Sequence, residues 1–312
     1  MKKTNPLPAT EKRNLKSRNI YRLSTLQMVD LINDEDKQVA PAVHRQRRPI
    51  AAAIDLIVEH FKLGGRLFYV GAGTSGRLGV LDASECPPTF SVAPSLVQGI
   101  IAGGRRALVT AIEGAEDIPS DGADALTQKH IGPCDVVLGI AACGLTPFVR
   151  GALRYAVRRR AGTIFLTCSP ESCDRVSADI IINPVVGPEV ITGSTRLKAG
   201  TATKLVLNTL TTAAMIKLGK VYGNLMVDLK ATNRKLRDRS IRIVREVAGL
   251  SRPRARQLLD RASGRVKAAL VMHFREVDLP RALDLLEQND QLLRKAIAVK
   301  KSKTSAAPAA VT

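Results

Sequence analysis

Five short apolar segments, separated by stretches long enough for helices, constrain this chain more than any other feature of its sequence. Their apolar residues follow one another instead of alternating with polar ones, which is typical of strands buried on both faces. Alternation of such strands with helices requires right-handed βαβ units. We therefore predict an α/β fold with a doubly wound, parallel, five-stranded sheet. The five segments are residues 66–70, 96–102, 135–141, 163–168 and 179–186.

The stretches between these strands repeat their apolar residues with helical spacing. Residues 198–218 are small or apolar on nearly every side, so we expect a deeply buried helix there. After Gly223 the chain becomes rich in Arg and Leu, which indicates a small all-helical domain. The predicted helices are 41–63, 75–83, 105–112, 121–130 and 147–160 in the first part, and 239–248, 253–262, 265–274 and 279–298 in the last.

These patterns divide the 312 residues into four segments. Residues 1–45 are an N-terminal extension and helical arm, 46–234 the α/β domain, and 235–299 the helical C-terminal domain. The basic tail over 300–312 is rich in Ala and has the composition of a disordered segment.

The formal net charge of +20 raises the question of nucleic-acid binding. Half of that charge lies in residues 1–20 and 291–312, and aromatic residues make up only 3% of the chain. Few side chains are therefore available to stack on bases, and we expect no specific nucleic-acid partner. No apolar run is long enough to span a membrane, and the N-terminus lacks the apolar core of a secretory signal. Five cysteines without a Cys-x-x-Cys pair favour reduced thiols and a cytoplasmic location.

The segment Gly71-Ala72-Gly73-Thr74-Ser75-Gly76-Arg77 follows the first strand and matches the pattern G-x-G-x-x-G. This pattern occurs in dinucleotide-binding turns, which also need an acidic residue at the end of the second strand. The second strand here ends in Ile101-Ala102-Gly103-Gly104, without an acid. Two hydroxyls beside the free amides of a helix N-terminus instead favour a compact phosphate monoester. A plain tight turn between strand and helix is the alternative.

Two further loops have the same character. Cys143-Gly144-Leu145-Thr146-Pro147 follows the third strand, and Thr192-Gly193-Ser194-Thr195-Arg196 precedes the buried helix. Each alone is explained by helix capping. Because ligands of open parallel sheets bind at the carboxyl ends of the strands, the three loops together predict a phosphorylated, hydroxyl-rich small ligand.

Acidic residues near the predicted strand ends are few. Glu85 lies just before a double proline, and Glu113 and Glu116 lie in the turn that follows the helix after the second strand. Each could be a solvated charge, whereas a pair of carboxylates could perform acid–base chemistry. The histidines have no metal-ligand spacing, so we predict neither a metal site nor a cofactor. They are His44, His60, His130 and His273.

Long stretches of the chain, in order, resemble the N-acetylmuramic acid 6-phosphate etherases, which are built on the sugar isomerase (SIS) fold. The similarity covers most of the sequence. The matching stretches lie within residues 10–14, 23–26, 32–37, 71–79, 81–89, 101–104, 113–117, 198–202 and 223–228.

This resemblance implies a homodimeric, cofactor-free lyase that removes the lactyl ether from its sugar-phosphate substrate. It also implies that Glu85 is the acid for the ether oxygen and Glu116 the base for the C2 proton. With the three loops, it gives an expected set of substrate- and phosphate-binding residues. They are Gly73, Thr74, Ser75, Gly76, Arg77, Gly144, Thr146, Glu189, Ser194 and Thr195.

Two departures from the family pattern keep alternatives open. The family usually has Ser and Arg where this chain has Cys143 and Leu145, and the altered loop is similar to that of glucokinase regulatory relatives, which sense sugar phosphates without catalysis. Residues 189–195 also resemble the catalytic-glutamate stretch of SIS aldose–ketose isomerases. A non-catalytic regulator and an isomerase are therefore the alternatives to an etherase.

Overall fold

The computed structural model describes residues 7–229 and 234–298, which divide after Lys217 into two compact units. The boundary that the sequence predicts near residue 235 lies within the second unit. The predicted tail over 300–312 lies outside the described residues. Among the described helices, none combines the length and apolar character that crossing a bilayer requires.

A parallel five-stranded sheet forms the centre of the first unit, which confirms the predicted fold class. The strand order is β2-β1-β3-β4-β5, and every neighbouring pair is parallel. Every residue of β1, β3 and β4 is buried, as their continuous apolar sequence predicts. The strands are β1 (Leu67–Gly71), β2 (Val97–Ile101), β3 (Val136–Ile140), β4 (Gly162–Leu166) and β5 (Ile180–Ile182).

Seven α-helices of the described chain accompany the sheet, and three segments differ from the sequence prediction. The predicted helix 41–63 is two helices that meet at Gln46, whose side-chain oxygen accepts from the backbone of Asn183. The helix of the Gly-rich loop continues past Pro87 and Pro88, because both prolines fall near its end and Ser91 closes it in a left-handed conformation. Residues 105–112 form only a short 3-10 helix, Gly104–Leu108. The helices are α1 (Thr25–Asp36), α2 (Val39–Arg45), α3 (Arg47–Lys62), α4 (Gly73–Phe90), α5 (Pro119–Thr127), α6 (Pro147–Arg158) and α7 (Lys198–Lys217).

A buried polar network fixes α4 and α7 against β1. The carboxylate of Asp82 accepts hydrogen bonds from the hydroxyl of Tyr69 (2.8 Å), the amide of Asn208 (2.6 Å) and the hydroxyl of Thr211 (3.3 Å). Three donors from two other elements thus satisfy a carboxylate that is almost fully buried, as a buried charge requires. The network sets where α4 and α7 lie on the sheet.

Two glycines bring α5 and α6 into close backbone contact. A Cβ at Gly151 would lie 1.8 Å from the carbonyl oxygen of Pro119, and one at Gly122 would lie 2.0 Å from that of Phe148. No side chain fits at either position. The loop before α5 is therefore held against the start of α6.

The second unit is a short hairpin followed by helices around their own apolar core. Lys267, almost fully buried, pairs with Asp228 at 2.7 Å. The predicted helix 279–298 is two helices, separated by a turn in which Asp290 and Gln291 have positive φ. The elements are β6 (Val221–Tyr222), β7 (Leu225–Met226), α8 (Arg234–Ala248), α9 (Arg252–Arg261), α10 (Val266–Arg275), α11 (Leu279–Glu287) and α12 (Leu293–Ile297).

The α5–α6 contact gives a test of the packing. Gly151→Ala should lower the free energy of unfolding by about 1–3 kcal/mol, since backbone must move to admit the methyl group. Gly132→Ala is the matched control: nothing lies within 4 Å of its added Cβ, so a change of less than about 0.5 kcal/mol is expected. Urea denaturation of both variants measures the difference. If Gly151→Ala and Gly132→Ala change the free energy of unfolding equally, the backbones of α5 and α6 do not pack closely at Gly151.

Candidate functional site

The sheet places a pocket where its strand order reverses. The chain leaves β1 toward β2 on one side and β3 toward β4 on the other, so the loops after β1 and β3 diverge and leave a crevice between them, the usual ligand site of such sheets. A cavity of about 420 Å³ lies there. Its lining residues are Glu11, Ala72, Gly73, Thr74, Ser75, Glu116, Asp117, Ala142, Cys143, Leu145, Thr146, Pro147, Gly193 and Thr195.

The first wall of the pocket is the N-terminus of α4. Gly73 begins this helix with a positive φ of 52°, which favours glycine. Gly71 and Gly76 lie so close together that a Cβ on Gly71 would be 2.7 Å from the backbone nitrogen of Gly76. The helix therefore starts directly on the end of β1, and Thr74 and Ser75 line the pocket in its first turn, where backbone amides have no partner within the helix.

Two more helix N-termini meet the first. Thr146 and Pro147 line the pocket as the N-cap and first residue of α6, and Thr195 lines it three residues before α7. The starts of α4 and α7 are adjacent, because a Cβ on Gly200 would lie 3.6 Å from the methyl group of Thr74. Three helices thus direct their positive dipole ends toward one cavity, which is an arrangement that attracts anions.

Glu116 brings a carboxylate to this pocket. It lies in the loop before α5, and its backbone carbonyl accepts from the amide of Phe148 in the first turn of α6, at 3.0 Å. The glycine contact between α5 and α6 holds the same loop. Its neighbour Asp117 also lines the cavity, which the sequence did not predict.

Glu85 is not brought to the pocket of its own chain. It lies on α4, 12 residues after Gly73, which is roughly 18 Å along the helix axis. Its side chain is exposed, on the same helix face as Leu81, which is 53% exposed.

Five other predicted residues lie next to the pocket without lining it. Gly76 packs on Ile101, Arg77 donates to the carbonyl of Leu108 at 3.1 Å, and Ser194 lies in the turn before α7. Gly144 has a positive φ and closes a turn beneath Ser172, whose hydroxyl donates to the carbonyl of Cys143. The fifth is Glu189.

Glu189 is fully buried and caps α7. Its carboxylate accepts from the backbone amides of Lys198 (3.0 Å) and Ala199 (2.9 Å). Burial raises the pKa of this carboxyl group, and the two amide hydrogen bonds oppose that rise. Glu189 therefore fixes the start of α7 and does not face the cavity.

Cys143 has a poorly reactive thiol. Burial raises its pKa, a hydrogen bond from the backbone of Leu145 opposes this, and the nearby charges of Glu11 and Glu116 raise it further. The thiol is therefore neutral near pH 7.

Glu11 lines the pocket from the N-terminal arm. The short 3-10 helix Ala9–Glu11 carries it, and this helix is held by residues beyond the end of β4. The backbone amide of Ala9 donates to Glu171 (3.3 Å), and the hydroxyls of Thr10 and Ser169 lie 3.3 Å apart. In the sequence, residues 10–14 stand out only by their resemblance to the etherase family. Nothing local in the sequence predicts that the N-terminal arm packs on residues 169–171 and brings Glu11 to the pocket.

A buried ion pair holds the rest of the arm. The carboxylate of Glu35 accepts from Lys198 (2.5 Å), Asn14 (2.9 Å) and Lys16 (3.1 Å). Lys198 is only 2% exposed and is the first residue of α7. The arm and the start of α7 are therefore fixed by the same carboxylate.

Within the described part of the chain, no group of three or more His, Cys, Asp or Glu side chains is arranged to hold a metal ion. The pocket is formed by hydroxyls, helix amides and carboxylates.

Comparison with known proteins identifies the family. N-acetylmuramic acid 6-phosphate etherases from Nostoc sp. and Synechocystis sp. are 54% and 52% identical to this chain, over 93% and 92% of its length and 94% of each relative. The chain belongs to the N-acetylmuramic acid 6-phosphate etherase family.

Domain models agree with an SIS-type fold for this etherase-family chain. The model of the glucokinase regulatory protein N-terminal SIS domain matches residues 49–157, and that of the C-terminal lid domain of the same protein matches residues 223–310. A phosphoheptose isomerase from Francisella tularensis aligns with 62% of this chain and 100% of its own, at 19% identity and a TM-score of 0.49.

The Glu35–Lys198 pair predicts a pH-dependent stability. Burial opposes ionisation of Glu35, but hydrogen bonds from Lys198, Lys16 and Asn14 and the charge of Lys198 hold its pKa below the usual value of 4.5. The ionised Glu35 carboxylate therefore contributes fully to the free energy of unfolding above pH 4.5. This contribution is lost as the pH falls through the lower pKa of the folded state.

We expect Glu35→Gln to lower the free energy of unfolding by about 3–5 kcal/mol at pH 7, because it leaves a buried lysine unpaired. Below pH 4.5 the difference in the free energy of unfolding between Glu35→Gln and wild type should become smaller, because Glu35 becomes protonated in wild type. Glu59→Gln, at an exposed position on α3, is the control and should change stability by less than about 0.5 kcal/mol. Denaturant unfolding at a series of pH values measures both, and a gap independent of pH would contradict the ion pair.

Proposed function

We propose that this chain cleaves the lactyl ether of N-acetylmuramic acid 6-phosphate by elimination and water addition, giving N-acetylglucosamine 6-phosphate and D-lactate. It is then a carbon–oxygen lyase of cell-wall amino-sugar recycling. The observation that carries the proposal is the meeting of three helix N-termini and the Glu116 carboxylate in one pocket. The near full-length relatives with this name support the same substrate.

The reaction needs acid–base groups and no metal or organic cofactor. An unactivated alkyl ether at C3 resists simple hydrolysis at neutral pH. Opening of the sugar ring exposes an aldehyde at C1, which makes the C2 proton acidic, and its removal turns lactate into a β-leaving group. Water then adds at C3. One base for C2–H and one acid for the departing oxygen are required, each worth about 10²–10⁴ in rate.

In this proposal Glu116 is the C2 base and Glu85 the acid for the ether oxygen. Glu116 lines the pocket beside the helix N-termini that would hold the phosphate. Glu85 lies too far along α4 to serve its own pocket, so we place it in the pocket of a second copy. A homodimer would cover the exposed α4 face that carries Leu81 and Glu85.

The two alternatives have less support. The isomerase alternative relied on the stretch that begins at Glu189, but this carboxylate is buried as the cap of α7. A sugar-phosphate sensor needs only the phosphate pocket, whereas this pocket also contains the Glu116 carboxylate that an acid–base reaction requires. A cytoplasmic location fits the five cysteines, all of which are free.

The first test concerns phosphate binding. Ser75→Ala should raise KM about tenfold with little change in kcat, because the phosphate is remote from the bond that breaks and binds ground and transition states alike. Thr209→Ala, which removes an exposed hydroxyl bonded within α7, should change neither. A pure kcat defect in Ser75→Ala would place this residue at the reacting atoms.

The second test separates the two glutamates by assaying lactate release and hydrogen exchange at C2 in D₂O. Glu85→Gln should still exchange the C2 hydrogen of intact substrate but release lactate at least ~100-fold more slowly, because it keeps the base and loses the acid. Glu116→Gln should lose both. Glu113→Gln removes an exposed acid of the same loop and should behave as wild type. The reverse pattern would exchange the roles of Glu85 and Glu116, and wild-type lactate release by both variants would refute the mechanism.

The third test concerns the shared site. When Glu85→Gln and Glu116→Gln chains are mixed and allowed to exchange subunits, each mixed dimer should contain one intact site. Lactate release should then recover to about a quarter of the wild-type rate. Native mass spectrometry verifies that subunits have exchanged. If they have exchanged and lactate release does not recover, both glutamates act within one chain.

A further inference from the structure

Glu11 places a second unpaired carboxylate in the pocket. Within residues 7–229 and 234–298 its side chain has no hydrogen-bond or ion-pair partner, although the backbone around it is firmly held. The arm residues on either side are anchored through Ala9, Thr10 and Lys12, the last in an ion pair with Glu171 at 3.2 Å. The structure therefore fixes the position of Glu11 and leaves its carboxylate available.

The carboxylate faces the same small region as Glu116. Its Oε2 atom would lie 3.0 Å from a Cβ added to Gly193, so it covers the loop that leads into α7. The charges of Glu11 and Glu116 both raise the pKa of the Cys143 thiol, which places both carboxylates near this side chain. Asp117 is a weaker candidate, since its carboxylate turns back toward Gly114 in its own loop.

The roles assigned to Glu116 and Glu85 cover the C2 proton and the departing oxygen, and they leave the ring-opening step without a base. Before C2–H can be removed, the pyranose ring must open to the C1 aldehyde, and this step also needs a base. We propose that Glu11 is the base that opens the sugar ring, an inference that rests on the proposed etherase function.

The step balances without any further reactant than water. The Glu11 carboxylate takes the proton from the C1 hydroxyl, a C1–O1 double bond forms, and the C1–O5 bond breaks. The electron pair of that bond goes to O5, which takes a proton from a pocket water, and the resulting hydroxide takes the proton from the Glu11 carboxyl group and restores the carboxylate. No oxidation or reduction occurs. Because ring opening and reclosure interconvert the two anomers, the step can be observed apart from ether cleavage.

The experiment measures anomer interconversion of N-acetylglucosamine 6-phosphate labelled with ¹³C at C1, by NMR exchange spectroscopy. Wild type should accelerate interconversion over buffer, and Glu11→Gln should lose at least ~10-fold of that acceleration. Glu116→Gln should still accelerate it while failing to exchange the C2 hydrogen. Glu113→Gln is the control for removal of one charge nearby and should match wild type.

Substrate deuterated at C2 gives a second readout. If ring opening becomes limiting in Glu11→Gln, the isotope effect on lactate release should fall toward 1, which a general loss of structure would not cause. If wild type releases lactate but Glu11→Gln retains wild-type anomer interconversion and the full isotope effect, the inference is overturned. A wild-type protein that releases lactate without accelerating interconversion also overturns it. Absence of lactate release by wild type would instead refute the proposed function.

Discussion

The convergence of three helix N-termini at the reversal point of the sheet is the constraint on which the site depends. α4, α6 and α7 each begin at this edge, and an anion is the natural partner for the positive dipole ends of the helices. Their common position follows from the strand order, in which β1 and β3 are neighbours whose following helices lie on opposite faces of the sheet. Much of the first unit serves to hold these three helix starts in place.

Buried polar groups keep the three helix starts in position, and each of them fixes a particular element. Asp82 fixes α4 and α7 on β1, Glu189 caps α7, and Glu35 with Lys198 ties the arm to the same helix. Such groups are costly unless satisfied. Among the described buried side chains only the side-chain oxygen of Asn183 lacks a partner. The satisfied networks therefore account for a rigid framework around a pocket lined by Glu11 and Glu116, whose side chains have no hydrogen-bond or ion-pair partner among the described residues.

The sequence predicts the sheet, and it predicts loops that the structure places at one pocket, for physical reasons. Strands buried on both faces must be continuously apolar, and hydroxyl- or glycine-rich helix starts are local signals. Thr74, Ser75, Thr146 and Thr195 were predicted from such signals and line the pocket. Glu11 could not be found this way, because its position depends on Ser169 and Glu171, about 160 positions away in sequence. The position of Glu189 is likewise not visible locally: its resemblance to an isomerase stretch does not show that its carboxylate accepts from the first amides of α7.

The most direct measurement is a crystal structure of the protein with N-acetylglucosamine 6-phosphate. If the helix N-termini form the phosphate site, the phosphate oxygens will lie within hydrogen-bonding distance of the backbone amides and hydroxyls of Thr74 and Ser75, with the sugar between Glu11 and Glu116. A phosphate bound elsewhere, for example in the basic hollow of α9 lined by Arg252, Arg256 and Arg261, with the pocket at β1 and β3 holding no sugar, would contradict the account.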